Sequence, residues 1–186
     1  TALRYDIDAA TGITTTLSNM VGHLTDATPG EARVIALDFV RNNSALLGLS
    51  DADLAGVEVT DEVKSPASPV RHLYLRQKHA GLPVVQGQLQ VHVNDDDGRI
   101  LMVNNRFLPN LAEAVNRLVP AIESEAAVAA AAANLGRSAG PIMRISARKD
   151  AQRSTVLEAP MLSTQKLEAR LMLLPVGTQA RLIWNF

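Results

Sequence analysis

A block of three consecutive β-strand patterns, residues 70–109, places the strongest constraint on the fold of this chain. In its central part apolar and polar side chains alternate, as expected for a strand with one buried face. One predicted face holds Val85, Leu89, Val91 and Val93, and the opposite face holds Gln86, Gln88, Gln90 and His92. Turn sequences at 80–83 and 97–98 bound this strand, because glycine accepts the positive φ of tight turns. The block therefore predicts an antiparallel meander whose last strand covers residues 100–103.

Two patterns predict helices. Thr28-Pro29-Gly30-Glu31 has the form of a capping box with proline at the first helical position, and it predicts a helix that ends near Leu47. Ser124 is the predicted cap of an alanine-rich helix over residues 125–135. Further strands are predicted at residues 13–17, 56–63, 142–147, 156–162, 167–174 and 181–186, and the 108–119 connection is predicted to be partly helical.

Helix-then-strands order occurs in both halves of the chain and predicts an α+β fold. We expect two tandem modules, residues 1–112 and 113–186. Each is predicted to be cystatin-like, with a helix packed on a curled antiparallel sheet.

Composition excludes several classes of function. The 186 residues are 47% hydrophobic, enough for a substantial core, and carry 18 basic and 19 acidic side chains without a long basic run. This balance argues against nucleic-acid binding. The absence of cysteine excludes a disulfide, a thiol nucleophile and a cysteine zinc site. No run of about 18 apolar residues predicts a membrane span. Thr1 is not an initiator methionine, so we expect an upstream segment to have been removed.

No pattern predicts a catalytic or metal site. The four histidines lack the HExxH spacing, and neither a Gly-x-Ser-x-Gly elbow nor a phosphate-binding loop is present. His72 and His92 can approach each other across neighbouring strands, and we interpret both as solvated or hydrogen-bonded sheet residues. The three aspartates before Gly98 do not match the ligand positions of an EF-hand and predict an acidic turn. We therefore expect no enzyme activity and no cofactor in this chain.

The aromatic C-terminus has two interpretations. Trp184 and Phe186 are two of only six aromatic residues, and they alternate with polar or aliphatic neighbours as in a core strand. Large aromatic side chains also anchor partner surfaces. Trp184, Asn185 and Phe186 are therefore candidate partner-binding residues.

Four short motifs resemble the propeptide module shared by fungalysin and thermolysin metallopeptidases: HLYLRQ at 72–77, GLPV at 81–84, GQLQVHV at 87–93 and DGRI at 97–100. The segments RLMLLPVG at 170–177 and RLIWNF at 181–186 resemble the end of the PepSY domain that follows this module in bacterial fungalysin-type precursors. The resemblance implies mainly structural roles for the family-motif residues Gln77, Gly81, Pro83, Gly87, His92 and Gly98.

The resemblance implies a prosegment of a secreted zinc metallopeptidase, whose HExxH and zinc would lie in a catalytic domain after Phe186. Such prosegments are understood to assist folding of the peptidase and to inhibit it until cleavage. The expected partner is the cognate catalytic domain, and the expected location is secreted or periplasmic. The alternative is a stand-alone PepSY-type module of the cell envelope that binds proteins or inhibits peptidases. An HExxH domain encoded beyond Phe186 would favour the prosegment. A third possibility is an enzyme with a diffuse active site, which stoichiometric zinc on the chain itself would support.

Overall fold

The computed structural model describes residues 2–186, and this part of the chain contains ten strands and four helices. In chain order they are β1 Leu3–Ile7, β2 Thr14–Asn19, α1 Ala32–Asn42, α2 Asp51–Leu54, β3 Glu58–Lys64, β4 Val70–His79, β5 Leu82–Asn94, β6 Ile100–Asn105, α3 Leu111–Ala114, α4 Ser124–Asn134, β7 Met143–Ala147, β8 Thr155–Glu158, β9 Leu167–Val176 and β10 Gln179–Asn185.

The first six strands form an antiparallel sheet in the order β1-β2-β6-β5-β4-β3. Helix α1 packs on one face of this sheet and buries Ile35, Ala36 and Val40. The alternating pattern explains this packing, since every second residue of a strand points to the same face. The strands contribute the other main side chains of this core: Leu17, Leu73, Leu75, Leu89, Val91, Val93, Ile100 and Val103.

The last four strands pair antiparallel in the order β7-β8-β9-β10. Helix α4 contacts this group through Val128, which shares a buried cluster with Leu157 and Ala169. An ion pair fixes the start of the helix to β7, since Arg144 donates to Glu125 at 2.6 Å and 2.7 Å. The hydrogen bond from Arg144 lowers the pKa of Glu125 to about 2.

The two groups of strands are joined where β5 pairs in parallel with β9 at Val84 and Leu173. A third apolar cluster surrounds this junction, with Leu82, Val84, Leu108 and Leu111 from the first half of the chain and Leu171, Leu173 and Ala180 from the second. The α+β class with a mostly antiparallel sheet is confirmed. The division into two cystatin-like modules at 112/113 stays a prediction.

The predicted meander is confirmed as β4, β5 and β6, but its residue alternation is wrong at one point. Val84 is buried at 2% exposure, whereas Val85 is partly exposed. The cause is Gln86, whose left-handed φ of +56° interrupts the two-residue period of the strand. Val84 thereby faces the cluster at the junction with β9, and the regular alternation begins again at Leu89.

The predicted helix start at Thr28 is also wrong. Helix α1 begins at Ala32, and the main-chain N–H of Thr28 donates to the carbonyl of Asp97 at 2.9 Å. This contact ties residue 28 to the β5–β6 turn, which no local pattern could indicate. The helix ends at Asn42 rather than near Leu47, and turns continue to Gly48, where φ is +73°.

Helix α4 covers nearly the predicted range, but its predicted cap is wrong. Glu123 occupies the N-cap position, and Ser124 is already helical, with its hydroxyl donating to Glu125 Oε2 at 2.9 Å. Strand β1 and helix α2 were not predicted. The residues of β1 are all exposed, so its sequence carries no buried-face alternation. Among the helices described for residues 2–186, none is long and apolar enough to cross a membrane.

Candidate functional site

The outer edge of β10 offers main-chain hydrogen bonds to a partner. Its first half is covered, because the N–H of Asn116 donates to the Ala180 carbonyl and the N–H of Leu182 donates to Asn116 Oδ1, both at 3.0 Å. Trp184 lies two residues beyond Leu182, so its N–H and C=O point to the same edge. No other described backbone group pairs with them there. An unpaired strand edge of this kind can accept an extended peptide as an additional strand.

An apolar groove of about 420 Å³ lies beside this edge. We call it the C-terminal groove. Its walls are formed by the alanine face of α4 (Ala127, Ala130 and Ala131), by residues 120–122 and by the end of the chain from Leu182 to Phe186. Trp184 is partly buried in the groove and donates its indole N–H to the Ile122 carbonyl at 2.9 Å. Phe186 is 46% exposed. The groove therefore presents an anchored aromatic residue and a free one next to an open edge.

The three predicted partner-binding residues thus lie together on one strand end. Asn185 is exposed, and its backbone pairs with Arg170 of β9. Sequence patterns did not identify Asn116, which covers the first half of the edge, because a single asparagine in a connection carries no periodic signal. The role of Trp184, Asn185 and Phe186 in partner binding stays a prediction.

The predicted family-motif residues lie apart from the groove, on β4 to β6 and their turns. Gln77 is fully buried and forms two hydrogen bonds with the backbone of Leu108, one to the carbonyl and one from the N–H, both at 2.8 Å. Gly98 has a φ of +71°, and a Cβ at this position would collide with the carbonyl oxygen of Thr28. Gly87 has space for no side chain either, because a Cβ would lie 2.7 Å from Val84 Cβ.

Two further motif positions form the β4–β5 turn. Gly81 has a φ of +78°, and Pro83, which is buried, pairs with Lys78 across the hairpin. These contacts are intramolecular. The structural role that the resemblance implies for these residues stays a prediction.

His72 and His92 meet across β4 and β5, as the sequence predicted they could. Their Nδ1 atoms are 2.6 Å apart, and their rings meet edge to face with centroids 4.8 Å apart. His92 Nε2 is also 3.1 Å from Asn104 Nδ2. Burial, and to a lesser extent electrostatic repulsion from His72, lowers the pKa of His92. Neutral rings fit this arrangement, because one Nδ1 must donate and the other must accept.

Basic side chains hold the acidic turn before Gly98. Asp95 of the acidic turn accepts hydrogen bonds from Arg71 at 2.6 Å and 2.8 Å and lies 3.2 Å from Lys64. These contacts, with that to Arg71 foremost, lower the pKa of Asp95. Within residues 2–186, no group of three or more His, Asp or Glu side chains is arranged to hold a metal.

Comparison with protein families identifies the framework that carries these residues. Residues 55–107 match the family model of the Fungalysin/Thermolysin Propeptide Motif. The propeptide motif runs from the end of α2 to Phe107 and so includes all of β3 to β6. The match confirms the predicted propeptide resemblance over these residues. It does not extend to residues 167–186, so the PepSY resemblance stays a prediction. A search of curated proteins gives no match to this chain.

Proposed function

We propose that this chain is the prosegment of a secreted bacterial fungalysin-type zinc metallopeptidase, and that it acts as folding assistant and inhibitor of the catalytic domain. The observation that carries the proposal is the propeptide motif over residues 55–107. A propeptide motif implies that the partner of the chain is a cognate peptidase. In this proposal the chain is not an enzyme, and the zinc belongs to the catalytic domain.

The open edge of β10 supports a physical route to inhibition. A peptidase cleft binds its substrate in an extended conformation, and an extended strand that offers unpaired main-chain groups can bind in the same way. Trp184 supplies an outward N–H and C=O, and Phe186 supplies an exposed aromatic side chain next to them. In the proposed complex, β10 and the C-terminal groove contact the catalytic domain, and the first sheet stabilises the strand end through the β5–β9 pairing.

The same contacts support the role in folding. A prosegment that binds the folded catalytic domain more tightly than the unfolded one stabilises it by mass action. We further propose that the second half of the chain is a PepSY-type module and that the two halves are the cystatin-like units predicted from the sequence. The location that follows from the proposal is outside the cytoplasm, with the secreted peptidase.

The direct test is inhibition in trans. The purified chain is titrated into the mature cognate peptidase, and hydrolysis of a peptide substrate is followed. We expect inhibition that is complete near a 1:1 ratio. A separate experiment compares the refolding yield of denatured peptidase with and without the chain, and the yield should increase. Unchanged peptidase activity at a large excess of the chain would contradict the inhibitor role.

Two substitutions at one position test the contribution of the strand edge. Trp184→Ala and Trp184→Pro both remove the indole ring, but only proline also removes the outward N–H. Since that N–H is not used in the pairing with β9, both variants should fold. We expect inhibition by the proline variant to be at least about fivefold weaker than by the alanine variant, the loss typical of one hydrogen bond of about 1 kcal/mol. Equal inhibition by the two variants would remove the edge from the mechanism.

A further inference from the structure

A second surface lies on the face of the first sheet opposite α1. The side chains there are polar: Arg76 of β4, Gln88 and Gln90 of β5, Asn104 of β6 and Thr16 of β2. They line a cleft of about 710 Å³, whose lining includes no aspartate or glutamate. We call it the arginine cleft.

Two arginines, Arg76 and Arg106, lie in the same register row of the sheet, on opposite sides of Gln88. Arg76 is the register partner of Gln88 on one side, and the N–H of Arg106 donates to the Gln88 carbonyl on the other at 2.9 Å. Neighbouring strands are about 4.8 Å apart, so the two arginine backbones are separated by roughly 10 Å. Both side chains are exposed, and neither forms an ion pair with a carboxylate of the described residues. Glu58 is the register partner of Arg76 on β3, and its carboxylate forms its ion pair with Lys78 at 2.6 Å.

Buried amides hold the backbone on both sides of Arg106. Asn105 donates to the Leu47 carbonyl at 3.2 Å and accepts from the Phe107 N–H at 2.9 Å. Gln77 forms its two hydrogen bonds with Leu108. The position of Arg106 is therefore fixed by groups that do not contact its guanidinium. A rigid support of this kind lowers the entropic cost of binding.

The backbone of β5 at residues 86–87, which line the cleft, is also unusual. Gln86 has a left-handed φ of +56°, which is rare for a residue with a side chain. Gly87 follows in close contact with Val84. Strand β5 pairs with β9 before this bend and with β6 after it, and Gln86 and Gln88 both line the cleft. Backbone strain that opens onto a polar cleft is a common property of binding sites.

We infer that the arginine cleft binds an acidic segment of the partner protein, with aspartate or glutamate carboxylates between Arg76 and Arg106 and the amides of Gln88 and Gln90 bonding its backbone. Guanidinium groups bind carboxylates with two parallel hydrogen bonds, which accounts for arginine at both positions. The inference rests on the proposed function to the extent that the partner is the peptidase catalytic domain. It adds a second contact, on the propeptide motif itself and separate from the C-terminal groove.

The test compares the full chain with two double variants of equal charge. Arg76→Gln/Arg106→Gln alters the cleft, and Arg33→Gln/Arg137→Gln removes two exposed arginines elsewhere that form no ion pair among the described residues. Binding to the catalytic domain is measured by calorimetry at low and high salt. We expect the cleft variant to bind about tenfold or more weakly and with a smaller salt dependence, as for the loss of charged interface contacts. The control variant should bind within about twofold of the unaltered chain.

The failure of this inference is distinguishable from the failure of the proposed function. If the unaltered chain inhibits the peptidase and the cleft variant binds equally well, the arginine cleft is not a contact and the prosegment proposal is unaffected. If the unaltered chain does not bind the peptidase, a hexaglutamate peptide is used in place of the peptidase as the ligand of the chain. A hexalysine peptide is the control. Binding of hexaglutamate that is lost in the cleft variant supports the cleft, and no binding overturns it. Circular dichroism should show the same fold for all variants, because all four arginines are exposed.

Discussion

At the level of single residues, the contact between His72 and His92 makes the stability of the first sheet depend on pH. If Asn104 Nδ2 donates to His92 Nε2, then His92 Nδ1 carries the proton and donates to His72 Nδ1. An additional proton on His92 occupies Nε2 and removes the acceptor for the Asn104 amide. The titratable groups in the adjacent register row of this sheet face are Tyr74 and Asp61, and Arg76 with its register partner Glu58 follows on the same face.

Acidification below about pH 6.5 should therefore destabilise the protein. The pKa of His92 is lowered in the folded state, while the unfolded chain has the ordinary value of about 6.5. Between these two values the unfolded state binds more protons, so stability is complete above about pH 6.5 and falls as the pH is lowered toward the folded pKa. The lowered carboxylate pKa values, such as that of Glu125, act only at lower pH.

Thermal unfolding between pH 7.5 and pH 5 measures this effect. In His92→Gln the decrease of Tm over this range should be clearly smaller than in the unaltered chain. His79→Gln is the matched control, because His79 lies on the same β4 strand but outside the pair, and its decrease should equal that of the unaltered chain. A Tm that decreases equally in all three proteins would contradict the assignment to the histidine pair.

At the level of elements, Asp53 joins two helices that are too short to be stable alone. Its carboxylate accepts from the N–H and the hydroxyl of Ser50 at 2.9 Å and 2.7 Å in the capping box of α2. It also accepts from the backbone N–H groups of Asn110 and Leu111 at the start of α3, at 3.0 Å and 2.8 Å. Burial raises the pKa of Asp53, but these hydrogen bonds outweigh burial and hold it below the usual value.

Replacing the Asp53 carboxylate should lower the free energy of unfolding, although the substituted side chain has the same size. Asp53→Asn keeps the volume but substitutes a donor amide for one acceptor oxygen, which leaves at least one of these backbone N–H groups without a partner. We expect a loss of about 2–3 kcal/mol in the free energy of unfolding, measured with urea at pH 7. Asp51→Asn, in the same helix and exposed, should change stability by less than about 0.5 kcal/mol. Equal stability of the two variants would show that α2 and α3 do not depend on the Asp53 carboxylate.

The elements divide into those that local sequence could predict and those that it could not. Strands β4 to β6 follow from alternation and glycine turns, because one buried face repeats every two residues. The start of α1 does not, since Thr28 is held by Asp97, nearly seventy residues later. The arginine cleft is of the same kind. Arg76 and Arg106 come together only through the register of β4, β5 and the end of β6, which no spacing along the chain expresses.

At the level of the whole molecule, the junction of β5 with β9 should make the two halves of the chain unfold together. Leu173 is fully buried there, opposite Val84 and in the cluster with Leu82 and Leu111. Leu173→Ala should lower the free energy of unfolding by about 2–4 kcal/mol, as for other buried leucines. Val176→Ala, at the exposed end of the same strand, should lower it by less than about 1 kcal/mol.

The cooperativity of this junction is measured by hydrogen exchange. In Leu173→Ala, amide protection should decrease in β4 and β5 as well as in β9 and β10, and denaturation should remain a single transition. This outcome matters for the proposed inhibitor, because a strand edge at Trp184 can bind a cleft firmly only if the sheet behind it is rigid. Two separate transitions, with loss of protection confined to β7–β10, would mean that the propeptide motif does not stabilise the C-terminal strand. The binding contributions of the arginine cleft and the C-terminal groove would then be independent of each other.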